Sequence, residues 1–388
     1  MNRGLIRRGV APVLGLWLMW SALAVSAALP SSPPPVLSAR AWLLLDVTSG
    51  SVLAEQHADK SMEPASMTKL MTAYLGFAAL RDRSLSLTQA IPVSDAALKV
   101  SGARMFLSPA VPATVEDLLK GLIVASANDA AIALAEVVAV NEAEFVVLMN
   151  KEARRLGMNQ THFMNATGLP HAEHRSTARD LARLTQALLR DFPGHYPRFA
   201  VRTLSYNRVT QQNRNALLWL DPHVDGLKTG HTASAGYGVI ASAKRDHRRV
   251  LSVLIGAATE SERTLESQRL LNYGFEQFET LRLYSARQPV AALEVFHGQG
   301  ASLAVGFLSN FYITVPRGHG PLQAQVLRRE PLLAPFKQGQ GVASLQVSAD
   351  GRVVGVFPLQ ALDTMERAGW LGRLWDNLRL KYRAWMKR

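Results

Sequence analysis

Pro64-Ala65-Ser66-Met67-Thr68-Lys69-Leu70-Met71 opens a run that stays apolar on nearly every side as far as Leu80, with Tyr74, Leu75 and Phe77 among its members. A helix without a polar stripe belongs in an interior, so residues 67–80 read as a central buried helix and a rigid platform. Pro64 suits the turn just before it. Ser66 and Lys69 are three apart, which brings their heads to one face. A serine at a helix start lies at the positive end of the dipole with its own N–H free, and both features stabilise an oxyanion formed there. Lysine acts as a base only when neutral, so the pKa of Lys69 has to fall from about 10.4 toward roughly 7 to 8. Burial and a second cation lower it, and a serine and lysine so placed can transfer acyl groups without a histidine base.

Outward from this helix the pattern changes twice. Upstream, Ala41 to Asp46 and Ser51 to Glu55 are apolar runs around Val47-Thr48-Ser49-Gly50, a hairpin signature. Downstream come helical segments near 115–124, 129–140, 142–157 and 177–191, the last with Ser176 or Thr177 as its cap. Tyr237 to Ala243 and Val250 to Ala257 then read as paired strands joined by the charged stretch Lys244 to Arg249, and a helix over 262–278 follows. Strands at both ends with helices between them imply a mixed α+β fold: one antiparallel sheet, built from both ends of the domain and covered by helices.

Two further triplets carry chemistry. Ser126-Ala127-Asn128 falls in a loop between helices, where Ser126 could relay a proton to a leaving amine and Asn128 could hold a substrate amide through its donor and acceptor. Capping of the next helix by Ser126 or Asn128 is the plainer reading of that triplet alone. Lys228-Thr229-Gly230 opens a strand: Lys228 offers a positive charge that could also depress Lys69, Thr229 a hydroxyl, and Gly230 room for another backbone along a sheet edge. His171 and His174 sit in a Gly- and Pro-containing loop without the glutamate spacing of a helical zinc motif, so no metal site and no cofactor is expected.

With Asn213-Arg214-Asn215 and Asp225-Gly226-Leu227-Lys228-Thr229-Gly230-His231-Thr232, these runs resemble the serine-type D-alanyl-D-alanine carboxypeptidases, low-molecular-mass penicillin-binding proteins of the penicillin-binding protein 5 type in serine peptidase family S11. The likeness spans nearly all of the mature chain. It implies a penicillin-binding-protein/β-lactamase-like transpeptidase domain and an acyl-enzyme on Ser66 with Lys69 as base. It further implies that His231 gives the second oxyanion N–H and that Arg263 faces the substrate carboxylate. Arg214 is a further substrate-site candidate, with a surface ion pair as its plainer reading. Peptidoglycan stem peptides are the implied substrates and β-lactams the covalent inhibitors. Alternatives left open are a DD-endopeptidase using the same site and a non-catalytic penicillin-binding wall protein. Ala127 stands where relatives often have glycine or aspartate, a departure that bears on the loop backbone and on deacylation.

The two chain ends address location. Arg3, Arg7 and Arg8 precede an apolar stretch ending in small residues, so residues 1–27 read as a secretory signal. Residues 28–284 read as the catalytic domain and 285–362, rich in short strands, as a small all-β domain. Residues 363–388 read as a C-terminal amphipathic helix: Leu371, Leu374, Trp375, Leu378, Tyr382 and Trp385 recur at helical steps with Arg373, Arg379, Lys381 and Arg383 between them. Docking of that helix on the β domain is the alternative to an anchor on anionic inner-membrane lipid. A formal charge of +13 without a basic helix of interleaved stacking aromatics points to anionic lipid or wall polymer and away from nucleic acid. The 388 residues contain no cysteine, so stability in an oxidising periplasm rests on packing.

Overall fold

The computed structural model describes residues 32–386 together with Arg8 and Gly9, so the segment read as a secretory signal lies outside the described residues apart from that pair. The chain divides into one unit of residues 33–276 and a second that contains residues 277–388.

The first unit is organised on a five-stranded antiparallel sheet of β1 (Ala41–Asp46), β2 (Ser51–Gln56), β3 (Val224–Thr232), β4 (Gly236–Arg245) and β5 (Arg248–Ala257), in the order β2-β1-β5-β4-β3. Every residue of β1 is buried, which accounts for its unbroken apolar run rather than an alternation. Gly50, at φ 78°, closes the β1–β2 turn as the hairpin signature requires. The β4–β5 connection is tighter than the charged stretch suggested, because only Asp246 and His247 lie outside the strands. The flanking charges stay within the sheet by finding partners: Arg248 pairs with Asp46 at 2.6 Å, and the Arg245 guanidinium lies 4.3 Å from the centre of the Phe275 ring.

The longer helices of this unit are α1 (Lys69–Arg81), α2 (Asn128–Ala139), α3 (Glu142–Arg155), α4 (Ala178–Asp191) and α5 (Glu260–Gln277). Leu70, Met71, Tyr74 and Phe77 of α1 are buried in the main core, so the reading of a platform buried on nearly every side holds. The α-helix itself starts at Lys69, and residues 65–68 form a tighter 3₁₀ turn in which positions three apart nearly eclipse. Asn141 caps α3 and Thr177 caps α4, each accepting from a backbone N–H of the first turn.

The second unit is β-rich. Strands β6 (Phe278–Tyr284) and β9 (Phe311–Pro316) form one pair. Strands β7 (Pro289–Glu294), β8 (Ser302–Gly306), β10 (Gln323–Arg328), β11 (Gly341–Ala349) and β12 (Arg352–Ala361) form a sheet in the order β10-β11-β12-β8-β7, with Arg8–Gly9 pairing at the β10 edge. Because β6 pairs with β9, this unit begins one strand earlier than the composition change near Tyr284 suggested. Its helix α6 (Trp370–Met386) leaves its apolar positions open, with Trp375 66% and Trp385 70% exposed. The polar edge is tied down: Glu294 pairs with Arg379 and Arg383, and Asp376 accepts from the His297 backbone N–H. Docking and an open apolar face therefore coexist on this helix. No helix among the described residues is long and apolar enough to cross a membrane.

Candidate active site

Ser66 lies in the 3₁₀ turn at the head of α1, and Lys69 Nζ reaches its Oγ at 3.2 Å. Lys69 is fully buried and donates to Asn128 Oδ1 and to the Thr167 carbonyl, each at 2.6 Å. Burial, reinforced by the charge of Arg214 and opposed by Asp129, brings its pKa down to about 7. The lysine is thus neutral over part of the physiological range, as a base beside a serine has to be.

The Ser126-Ala127-Asn128 triplet is not a helix cap. Ala127 occupies the cap position of α2 and makes no side-chain capping bond. A π turn over Gly121–Ala125 delivers Ser126 at φ 59°, an uncommon conformation for a residue with a Cβ. Its Oγ accepts from Lys228 Nζ at 2.8 Å. Asn128 is held from behind by a 2.6 Å bond from Nδ2 to the Ser101 carbonyl, which fixes its oxygen toward Lys69. Ala127 sits at φ −65° and ψ 122°, so nothing in this backbone calls for glycine there.

Lys228-Thr229-Gly230 lies in the second half of β3 rather than at its start. A Cβ on Gly230 would come within 3.0 Å of the Pro64 carbonyl and 3.2 Å of Ala65 Cβ, so this glycine lets the strand run against the nucleophile turn. Lys228 is buried, and desolvation together with the charges of Lys69, Arg214 and Arg263 pulls its pKa well down. Two ammonium groups cannot both be comfortable in one dry site, and the charge of Lys69 weighs on Lys228. Lys228 is accordingly less a fixed cation for Lys69 than the sequence suggested, and Arg214 has the larger effect on Lys69.

A cavity of about 380 Å³ opens on Ser66 and is lined by Ser126, Asn128, Thr229, His231, Arg214 and Arg263, among others. His231 is exposed at the rim with its ring stacked on Tyr237, centroids 4.0 Å apart. Arg263, on the first turn of α5, is only 4% exposed and donates to Glu260 Oε1 at 2.6 Å and to the Arg214 carbonyl at 3.4 Å. Arg214 makes no ion pair among the described residues, and its guanidinium is left for the cavity. All ten residues singled out from the sequence thus line this cavity or, for Lys69 and Lys228, bond to residues that do.

Sequence reasoning missed the loop behind Lys69. Asn165 Oδ1 accepts from the backbone N–H groups of Thr167, Gly168 and Leu169 and from the Thr167 hydroxyl, an Asx turn that aims the Thr167 carbonyl at Lys69. Asn165-Ala166-Thr167-Gly168 is legible as a turn signal, but nothing local says which side chain it faces. No group of metal-ligating side chains is found among the described residues.

Comparison with known proteins gives the chain a family. A family model described as D-alanyl-D-alanine carboxypeptidase matches residues 28–259, and one described as the C-terminal domain of penicillin-binding protein 5 matches residues 278–367. The D-alanyl-D-alanine carboxypeptidase DacC of Escherichia coli (strain K12) is 39% identical over 361 residues, covering 90% of each chain. Penicillin-binding protein 5 from Haemophilus influenzae superposes with a TM-score of 0.83 at 33% identity, covering 87% of this chain and 100% of that one. Penicillin-binding protein D2 from Listeria monocytogenes, in an ampicillin-bound form, matches 63% of this chain and 100% of its own at 32% identity and a TM-score of 0.58. The chain belongs to the D-alanyl-D-alanine carboxypeptidase family of serine peptidases, in the penicillin-binding protein 5 branch that carries a separate β-rich C-terminal domain.

Proposed function

We propose that this D-alanyl-D-alanine carboxypeptidase removes the terminal D-alanine of peptidoglycan pentapeptides through an acyl-enzyme on Ser66. The observation that carries the reading is Lys69, buried, brought down to about 7 and 3.2 Å from Ser66 Oγ. Neutral Lys69 takes the hydroxyl proton as Ser66 Oγ bonds to the penultimate carbonyl carbon. The oxyanion is met by the backbone N–H groups of Ser66 and His231. As the C–N bond breaks, Ser126, bonded to Lys228, relays to the leaving amine the proton that Lys69 took, so that D-alanine departs and Lys69 is neutral again. Water then cleaves the Ser66 ester. Arg263, with Arg214 beside it, receives the substrate's terminal carboxylate, Asn128 and Thr229 hold its amides, and the free edge of β3 beside Gly230 aligns its backbone. A β-lactam acylates the same serine and leaves no departing group to clear the site.

The catalytic domain is taken to run from residue 28 to the start of β6, the β domain from β6 to residue 362, and the protein is taken as exported to the periplasm once residues 1–27 are removed. It sits on the outer face of the inner membrane through α6, whose exposed Trp370, Leu374, Trp375, Tyr382 and Trp385 suit a bilayer interface. Product analysis on purified muropeptides tests the reaction. Release of D-alanine from pentapeptides without cutting of cross-links supports the carboxypeptidase, and cross-link cleavage would indicate an endopeptidase. No release, with stable penicillin labelling that Ser66→Ala abolishes, would leave a binding protein.

A further inference from the structure

His174 takes no part in the reaction just described, yet it is a buried histidine with both ring nitrogens committed. Nε2 lies 2.8 Å from Thr68 Oγ1, Nδ1 lies 3.3 Å from the Met164 backbone nitrogen, and only 2% of the residue is exposed. The two bonds fix the tautomer. A backbone N–H can only donate, so Nδ1 accepts from Met164, the ring proton is on Nε2, and Nε2 donates to the Thr68 hydroxyl. The Phe163 ring meets the imidazole edge-on at 5.8 Å between centroids, which holds its plane.

The two partners belong to opposite walls around Lys69. Thr68 lies between Ser66 and Lys69 in the nucleophile turn. Met164 begins the strand of chain whose Ala166 carbonyl accepts from Thr72 and whose Thr167 carbonyl accepts from Lys69. We propose that His174 is a positioning residue for the acylation step, a strut that holds the nucleophile turn and the 164–167 segment at the separation at which Lys69 is caged and kept dry beside Ser66. The inference rests on the reading of Lys69 as the acylation base. Around the ring, His171 and Arg175 on its own loop and His162 on the preceding segment oppose a positive charge, and Glu63, ahead of the nucleophile turn, favours one. Burial and these neighbours hold the imidazole near a pKa of about 4, so the strut stays neutral and intact wherever Lys69 is active.

The test is the pH profile of Ser66 acylation by a fluorescent penicillin, read with thermal melts on the full mature chain. His174→Gln keeps a donor near the Nε2 position and loses the acceptor. His174→Asn keeps an acceptor near Nδ1 and loses the donor, and Thr68→Val removes the far partner with little change of shape. Each breaks the strut, lets water approach Lys69 and moves the acid limb to higher pH by about half a unit or more, so that acylation at pH 6.5 falls roughly threefold relative to its alkaline plateau. Variants that lose melting temperature or plateau rate with an unmoved limb would overturn the proposal, since that is what a structural role alone produces. Should the histidine variants fail to fold, Thr68→Val decides by the same criterion. A wild-type profile with no limb near pH 7 would instead refute Lys69 as the base, a failure distinguishable from that of His174.

Discussion

Gly168 and Ala65 meet backbone to backbone behind the nucleophile, and a Cβ on Gly168 would fall inside the contact shell of the Ala65 carbonyl. Gly168 is at φ 83° and Ala65 itself at φ 48°, so both sides of the contact hold conformations that most residues avoid. Neither side has room to yield. Gly168→Ala is expected to push the 165–169 loop off the Ser66 turn. It should cost about 2–3 kcal/mol, a melting shift of roughly 5–10 °C, with at least about a tenfold loss in penicillin acylation. A variant that melts and acylates like the parent would show that the loop does not depend on this contact.

The pH response follows from Lys69. Its neutral form is the base and its pKa is about 7, so acylation should rise with pH through that value and level off above it. The stability sign runs the same way. Unfolding restores an ordinary lysine that binds a proton over the window from about 7 to about 10.4, so this residue's contribution to stability grows as pH rises across that window. Stopped-flow acylation and chemical denaturation at a series of pH values check the two arms separately; Lys69→Met should abolish acylation and lessen the pH dependence of stability, Lys228 supplying what remains.

Arg263 carries a distinct expectation, because it is a buried guanidinium in a cavity that contains Ser66. Arg263→Met should lower kcat/KM for peptides ending in a free D-alanyl carboxylate by about 10- to 100-fold, and leave acylation by a neutral-ended D-alanyl ester within about twofold. Equal losses on both substrates would mean that the arginine supports the fold rather than the carboxylate.

For α6 the exposed apolar positions and the tied polar edge make separable predictions. A Leu374→Asp, Trp375→Asp double variant should lose binding to vesicles of mixed anionic lipid while hydrolysing soluble peptide at the parental rate. Arg379 and Arg383 are already paired with Glu294, so replacing them should weaken vesicle binding less than replacing Arg373 and Lys381. Sedimentation with vesicles at two salt concentrations reads both.

Some of this was legible early because it rests on local physics. The buried helix behind Ser66 was readable since an apolar run without a polar stripe has one physical destination. That one antiparallel sheet is assembled from both ends of the first unit followed from the strand-like runs there, and the β1–β5 pairing is how it closes. The boundaries were less so. Arg245 and Arg248 looked like a turn because their charges find partners only in the folded sheet and on Phe275. The partnership of Asn165, Gly168 and His174 with the nucleophile turn spans about a hundred residues of chain, and no periodicity records it.

The sequence by itself determined the reaction class: a serine and a lysine three apart, two more triplets in order, and a family likeness over most of the chain. It could not say what those side chains do to one another. Only the tertiary structure turned Ser126-Ala127-Asn128 from a helix cap into a pair of ligands for the two lysines, and only it made Arg214 the charge that weighs on Lys69. The reason is physical. A pKa and a hydrogen bond depend on distance and on the exclusion of water, and both are set where strands and loops far apart in the chain close on one another.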